Sequence, residues 1–145
     1  MAAARAVVAD PAFRQIAPDW AFAIHNEPGR PFGYVSTRKG LINCASQGVA
    51  ISFTGKTANA AEPEMGVSPA PAIATLIPAL GALGTGGALD AAFKLVTVTH
   101  VHIGEPTFGI APAHGQIIVT LCAADDTAMD GMMQAACALV EKGGD

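Results

Sequence analysis

Charge is what this chain has least of. Only 14% of its 145 residues are Asp, Glu, Lys or Arg, while 51% are hydrophobic. A free-standing soluble domain usually covers itself with both signs of charge, densely mixed. Part of the apolar surface is therefore expected to be covered by another chain or domain. The eight Lys and Arg residues run from Arg5 to Lys142 without forming a cluster, and the formal net charge is −4. That distribution argues against a nucleic-acid partner. Cysteine is scarce as well. Cys44, Cys122 and Cys137 are odd in number and far apart, with no CxxC pair. They fit neither a disulfide frame nor a zinc knuckle, and read as reduced, buried thiols of a cytoplasmic protein.

Long uninterrupted apolar runs are also missing. The stretch Met1–Asp10 is too briefly apolar for a secretory signal. Residues 67–89 carry no charge and are long enough to span a bilayer. However, Pro71 and Pro78 interrupt them, and Gly81, Gly84, Gly86 and Gly87 crowd their end. A buried amphipathic helix closed by a glycine turn is expected, with no membrane partner. The length suits one ordinary domain able to bury its own core.

What is present changes character near residue 47. Before it the chain is loop-rich. Asp10-Pro-Ala-Phe13 has the cap and first-turn chemistry of a short helix. Trp20-Ala-Phe-Ala-Ile-His25 and Gly33-Tyr-Val-Ser-Thr37 read as short strands bounded by turn residues. After it the pattern is regular. Val49, Ile51 and Phe53 alternate with small or polar residues, as in a half-buried strand. Ser68-Pro69 starts a helix to about Leu83, with Ile73, Leu76, Ile77, Leu80 and Leu83 on one face and a kink or break at Pro78.

A long β run follows from Lys94 to Ile103, whose apolar parity shifts between Val98 and Val101 and predicts a bulge. Gln116–Ala123 is another strand, with Ile117, Val119 and Leu121 on one face. Asp125 or Asp126 caps a last helix with Met129, Met133, Ala136, Cys137 and Val140 inward. The glycine cluster Gly84-Thr-Gly-Gly87 follows a helix, not a strand, and so makes a poor phosphate loop.

This order predicts an α+β fold: a ferredoxin-like βαββα(β) two-layer sandwich, its antiparallel sheet covered by helices on one face, with the final strand missing. The place beside the first strand would stand open. An unpaired edge is costly, so the segment around 20–25, the one around 33–37, or a segment of a second copy is expected to fill it.

Several motifs within this frame resemble the lid domain of the aminoacylase-type zinc metallopeptidases, closest to the amidohydrolase branch of hippurate and indole-acetyl-amino-acid hydrolases. They are Gly55-Lys-Thr-Ala-Asn-Ala-Ala-Glu-Pro-Glu-Met-Gly-Val-Ser-Pro69, Trp20-Ala-Phe-Ala-Ile-His-Asn26, Pro28-Gly-Arg-Pro-Phe-Gly33, Val98-Thr-His-Val-His-Ile-Gly-Glu105, Phe108-Gly-Ile-Ala-Pro112 and Val119-Thr-Leu121. Their order and spacing cover about Asp10 to Lys142. The resemblance implies a remnant of a catalytic-domain segment at 1–46 and a lid, or dimerisation, domain at 47–145. It also implies homodimer pairing through the lid sheet and helix, and a separate catalytic domain holding zinc or manganese as a further partner. No cofactor is expected in this chain itself.

Carried over residue by residue, the resemblance is mixed. His25 matches a metal-ligand histidine, but the other ligand motifs of such enzymes have no counterpart here. Asn59 stands where such lids carry a substrate-facing histidine, and an amide cannot hold a proton or a positive charge. Cys122 stands where they often carry a carboxylate-gripping arginine, and a thiol offers no guanidinium fork. His100 and His102 share a face of a strand near Glu105. They read either as the start of a zinc site or as a solvated or interface-facing pair. Asp125-Asp126 is explained by helix capping, and Glu62 and Glu64 by loop solvation. Two functions remain in view: a non-catalytic dimerisation or lid module, or part of a working zinc amidohydrolase acting on N-acyl amino acids.

Overall fold

The computed structural model describes residues 2–26, 28–40 and 42–143. The chain divides into two units, Met1–Ile42 and Asn43–Asp145. The first holds two short helices, α1 (Ala2–Ala9) and α2 (Pro11–Ile16). Asp10 caps α2 as its sequence suggests: the carboxylate accepts the Ala12 N–H at 2.7 Å, and Pro11 occupies the first turn. α1 had no clear sequence signal. The strands expected at 20–25 and 33–37 do not form; both segments are irregular and exposed. A strand needs a partner ladder to satisfy its backbone, and none is offered to these segments within this unit.

The second unit contains β1 (Ala45–Thr54), β2 (Ala58–Asn59), a 3₁₀ turn at Pro63–Met65, α3 (Ala70–Gly81), β3 (Lys94–Ile103), β4 (Ile110–Ala111), β5 (His114–Ala123) and α4 (Asp126–Lys142). The main sheet runs β1-β5-β3, all antiparallel, and α3 and α4 lie on one face of it. The α+β, two-layer, antiparallel arrangement is thus the predicted one. β5 is central because its alternation is the cleanest. Ile117, Val119, Leu121 and Ala123 are buried toward the helices, while Gln116, Ile118, Thr120 and Cys122 are half-buried on the opposite face.

Ile73, Leu76 and Leu80 of α3 and Met129, Met132 and Ala136 of α4 complete the core with Ile51 of β1. Each large side chain contributes roughly 1.5–3 kcal/mol by burial. α3 passes through Pro78 without ending. Its start is assisted by the Ser68 hydroxyl, which accepts the Ala70 N–H at 3.3 Å. Asp125 caps α4, its carboxylate accepting the Ala128 N–H at 2.8 Å. The predicted inner face of α4 needs one correction. Met132 is buried, Met133 only partly, and Cys137 is exposed. Cys44 and Cys122 are half-exposed as well, so the expectation of three buried thiols fails. The parity shift in β3 is a real irregularity, with the register slipping between Val98 and His100.

β1 pairs with β5 along all ten of its residues, from Ala45↔Ala123 to Thr54↔His114. Among the described residues its other edge carries no strand, so no N-terminal strand fills the slot. An apolar groove of about 310 Å³ lies there between β1 and α4, lined by Val49, Ile51, Met133, Cys137 and Val140 among others.

Candidate functional site

The chemistry-bearing candidates distribute over three places. The first is the loop between β1 and α3, which holds the segment 55–69. Two small ladders build it. Lys56 and Val67 exchange both backbone hydrogen bonds, at 3.0 and 2.8 Å, and β2 pairs with β4 through Ala58↔Ala111 and Asn59↔Ile110. The glycines are there for close approach. A Cβ on Gly55 would collide with the Val67 carbonyl oxygen, and one on Gly66 would lie 2.7 Å from the Lys56 carbonyl oxygen. On the β3–β4 side, Gly104 adopts φ +53° and donates its N–H to the His114 carbonyl at 2.9 Å.

Asn59 sits at the tip of this platform, exposed to solvent. Its Oδ1 accepts the Ala61 N–H at 2.9 Å, and its carbonyl accepts the Glu62 N–H at 2.9 Å. That is an Asx turn, in which the amide side chain organises its own loop. One of its side-chain atoms is thus committed to backbone. Met65 and Val67 beside it are exposed.

The second place is the opposite end of the sheet. Cys122 pairs with Ser46 across the β1–β5 ladder, and its thiol lies 3.7 Å from the Ser46 hydroxyl. It faces away from the helices. The third place is the β3 edge. His100 and His102 do share a face, as the strand period requires, with parallel rings 6.4 Å apart and 8° from coplanar. His102 Nε2 is 3.9 Å from Glu105 Oε1, both side chains being exposed. His25 belongs to the other unit. Its Nδ1 is 2.6 Å from the Asn26 carbonyl oxygen, which fits an N–H donor there, and it borders an open cleft of about 360 Å³ shared with Arg30, Phe32 and Tyr34.

Asn59 and Cys122 are not brought together. The length of β1 between Ser46 and Thr54, roughly 26 Å at the ordinary strand rise, separates the Cys122 end from the Asn59 end. Among the described residues no group of three or more His, Cys, Asp or Glu side chains could hold a metal ion. Among those residues the donors that a zinc or manganese pair needs are not assembled. No helix among the described residues is long and apolar enough to cross a membrane. Sequence reasoning missed one relation here. Cys44 and Cys122 are neighbours whose thiols act on one another, and the spacing of 44 and 122 gives no hint of it until the β1–β5 register is known.

No family model matches the chain, and no curated protein does. Solved structures do share its fold. An aminobenzoyl-glutamate utilization protein from Klebsiella pneumoniae superposes with a TM-score of 0.62 at 18% identity, over 70% of this chain and 25% of that one. A putative aminohydrolase from methicillin-resistant Staphylococcus aureus gives 0.64 at 15%, over 73% and 28%. A hydantoinase/carbamoylase-family amidase from Burkholderia multivorans gives 0.60 at 18%, over 72% and 26%. The chain thus spans about a quarter of the length of the structures it matches, and the fold of the segment resembling an amidohydrolase lid recurs in solved amidohydrolases and peptidases.

Proposed function

We propose that residues 43–143 act as the lid and dimerisation domain of a metal-dependent amidohydrolase lineage, and that this domain supplies positioning and pairing instead of hydrolytic chemistry. The observation that carries the reading is the β1-β5-β3 sheet under α3 and α4, a fold shared with about a quarter of several amidohydrolase and peptidase chains. The side chains support the same division of labour. Asn59 spends its oxygen on its own turn, and Cys122 lies at the far end of β1 with no cationic fork to offer. Two edge strands and a half-open apolar groove leave the domain with surfaces suited to a second copy.

The test is paired. Light scattering at increasing concentration is expected to give a dimer. Incubation with zinc or manganese and a panel of N-acyl amino acids is expected to give no turnover above that of the free metal. Turnover with stoichiometric, tightly held metal would sink the reading, and a clean monomer at high concentration would remove its dimerisation half.

One observation favours a second reading. Trp20, Phe22 and Ile24 are 82%, 90% and 100% exposed, and Phe32 and Val35 are bare as well. Apolar surface of this kind is ordinarily covered. In the second reading residues 1–46 belong to a catalytic body completed by further chain, with His25 as one of its metal ligands. Mixing the chain with a separately made catalytic domain distinguishes the two. Protection of Trp20, seen as a blue-shifted emission together with recovered hydrolysis, supports the second.

A further inference from the structure

We propose that Cys44 and Cys122 form a reversible disulfide, a thiol-modification site on the face of the sheet that α3 and α4 leave open. The register places them. Ala45 pairs with Ala123 and Ser46 with Cys122, so Cys122 stands at the end of the ladder that Cys44 immediately precedes. Ala45, Leu121 and Ala123 point into the core, which fixes the two cysteines and Ser46 on the opposite side. The Cys122 thiol is close enough to act on that of Cys44, and its Sγ reaches the Ser46 hydroxyl at 3.7 Å. Both residues are half-exposed, so a small oxidant can reach them.

Disulfides need Cα atoms about 4.4–6.8 Å apart, whereas diagonal positions in a regular ladder are commonly somewhat farther. Cys44 resolves this mismatch by lying one residue outside the ladder, whose first pair is Ala45↔Ala123. Its backbone can adjust without breaking a strand hydrogen bond. Cys137 is excluded, because it sits on α4, across the sheet.

The order of attack follows from the surroundings. Partial burial, then the neighbouring Cys122 thiol, push the Cys44 thiol above its ordinary range. A thiol held protonated in this way is a poor first nucleophile, which assigns the opening attack to its partner. With oxidised glutathione as the oxidant, the Cys122 sulfur attacks one glutathione sulfur, the glutathione S–S bond breaks, and one glutathione thiolate leaves. Cys44 gives up its proton and attacks the Cys122 sulfur of the mixed disulfide, releasing the second glutathione. Two protein thiols are oxidised and one glutathione disulfide is reduced to two thiols. The product ties the start of β1 to the end of β5 and closes a long loop of the chain.

The test uses the whole chain, titrated with oxidised glutathione, quenched by alkylation and mapped by mass spectrometry. The expected product links the Cys44 and Cys122 peptides, with Cys137 alkylated. Its melting temperature should exceed that of the reduced chain by on the order of 5–15 °C, a shift reversed by dithiothreitol. Cys44→Ser is expected to stop at a glutathione adduct on Cys122, and Cys137→Ser to leave the linkage unchanged. Persistent mixed disulfides on both cysteines of the natural chain would overturn the proposal, as would a bond to Cys137. Failure of dithiothreitol to restore both free thiols would overturn its reversibility.

Discussion

Ser46 faces Cys122 at one end of the β1–β5 ladder, and the chain does not reach Asn59 until β1 has run its full length to Thr54, opposite His114. Asn59 and Cys122 are therefore held apart by the length of β1. Within one copy they do not address the same small molecule. Any joint role requires a second copy or another domain, which makes assembly the first property to measure.

The platform that carries Asn59 depends on glycine for steric reasons. Gly55→Ala would drive a methyl group into the Val67 carbonyl that closes the Lys56–Val67 bridge. We expect a loss of about 1–3 kcal/mol, read as a lower urea midpoint at unchanged m-value. Gly48→Ala is the control, since nothing lies within 4 Å of the added carbon and the site is mid-strand. There a gain of roughly 0.5–1 kcal/mol is expected.

Asn59→Ala removes the acceptor of the Ala61 N–H. Because the turn is exposed, the expected cost is about 0.5–1.5 kcal/mol, and faster hydrogen exchange should be confined to residues near Ala61. Asn59→Asp keeps the acceptor and should cost little. Equal losses for both variants would show that the amide NH₂, not Oδ1, is what the turn uses.

Asp125→Ala leaves the first turn of α4 without its side-chain acceptor for the Ala128 N–H. The cap is worth about 0.5–2 kcal/mol. Asp126→Ala should cost less, because the capping geometry belongs to Asp125. Urea unfolding of the two variants side by side checks the order.

The Cys44 thiol has its folded-state pKa raised from 9.0 by partial burial and the adjacent thiol. A raised thiol pKa means that the folded state holds the proton more tightly than the unfolded chain does. The associated stability is fully present below pH 9 and is lost as pH climbs past it and through the folded value. Melting temperature under reducing conditions should therefore fall as pH rises above 9, and fall less in Cys44→Ser. Parallel curves for the two proteins would remove the cause named here.

Legibility in the sequence followed the range of the forces involved. Period-2 alternation around Ile117, Val119 and Leu121, and helical spacing of Ile73, Leu76 and Leu80, are local records of burial, and they placed both layers. Capping acts over two or three residues and was readable at Asp10, while for the last helix the sequence left Asp125 and Asp126 both open and the structure assigns Asp125. The parity slip between Val98 and Val101 announced the irregularity in β3. Trp20–His25 misled because apolar, strand-like composition states what a segment would pair with, not whether a partner is there. Cys137 misled because five apolar positions on α4 compete for a face that β1 and β5 only partly cover.

The sequence alone determined the order of the three long strands and two long helices, the two-layer sandwich and the resemblance of 55–69 to an amidohydrolase lid, since each rests on patterns within a few neighbouring residues. Tertiary structure decided what long-range register decides. It brought Cys44 near Cys122, kept Asn59 at the far end of β1, and left the outer edge of β1 without a strand among the described residues. Backbone pairing between segments some seventy residues apart sets those relations, and no local pattern encodes which residue will stand opposite which.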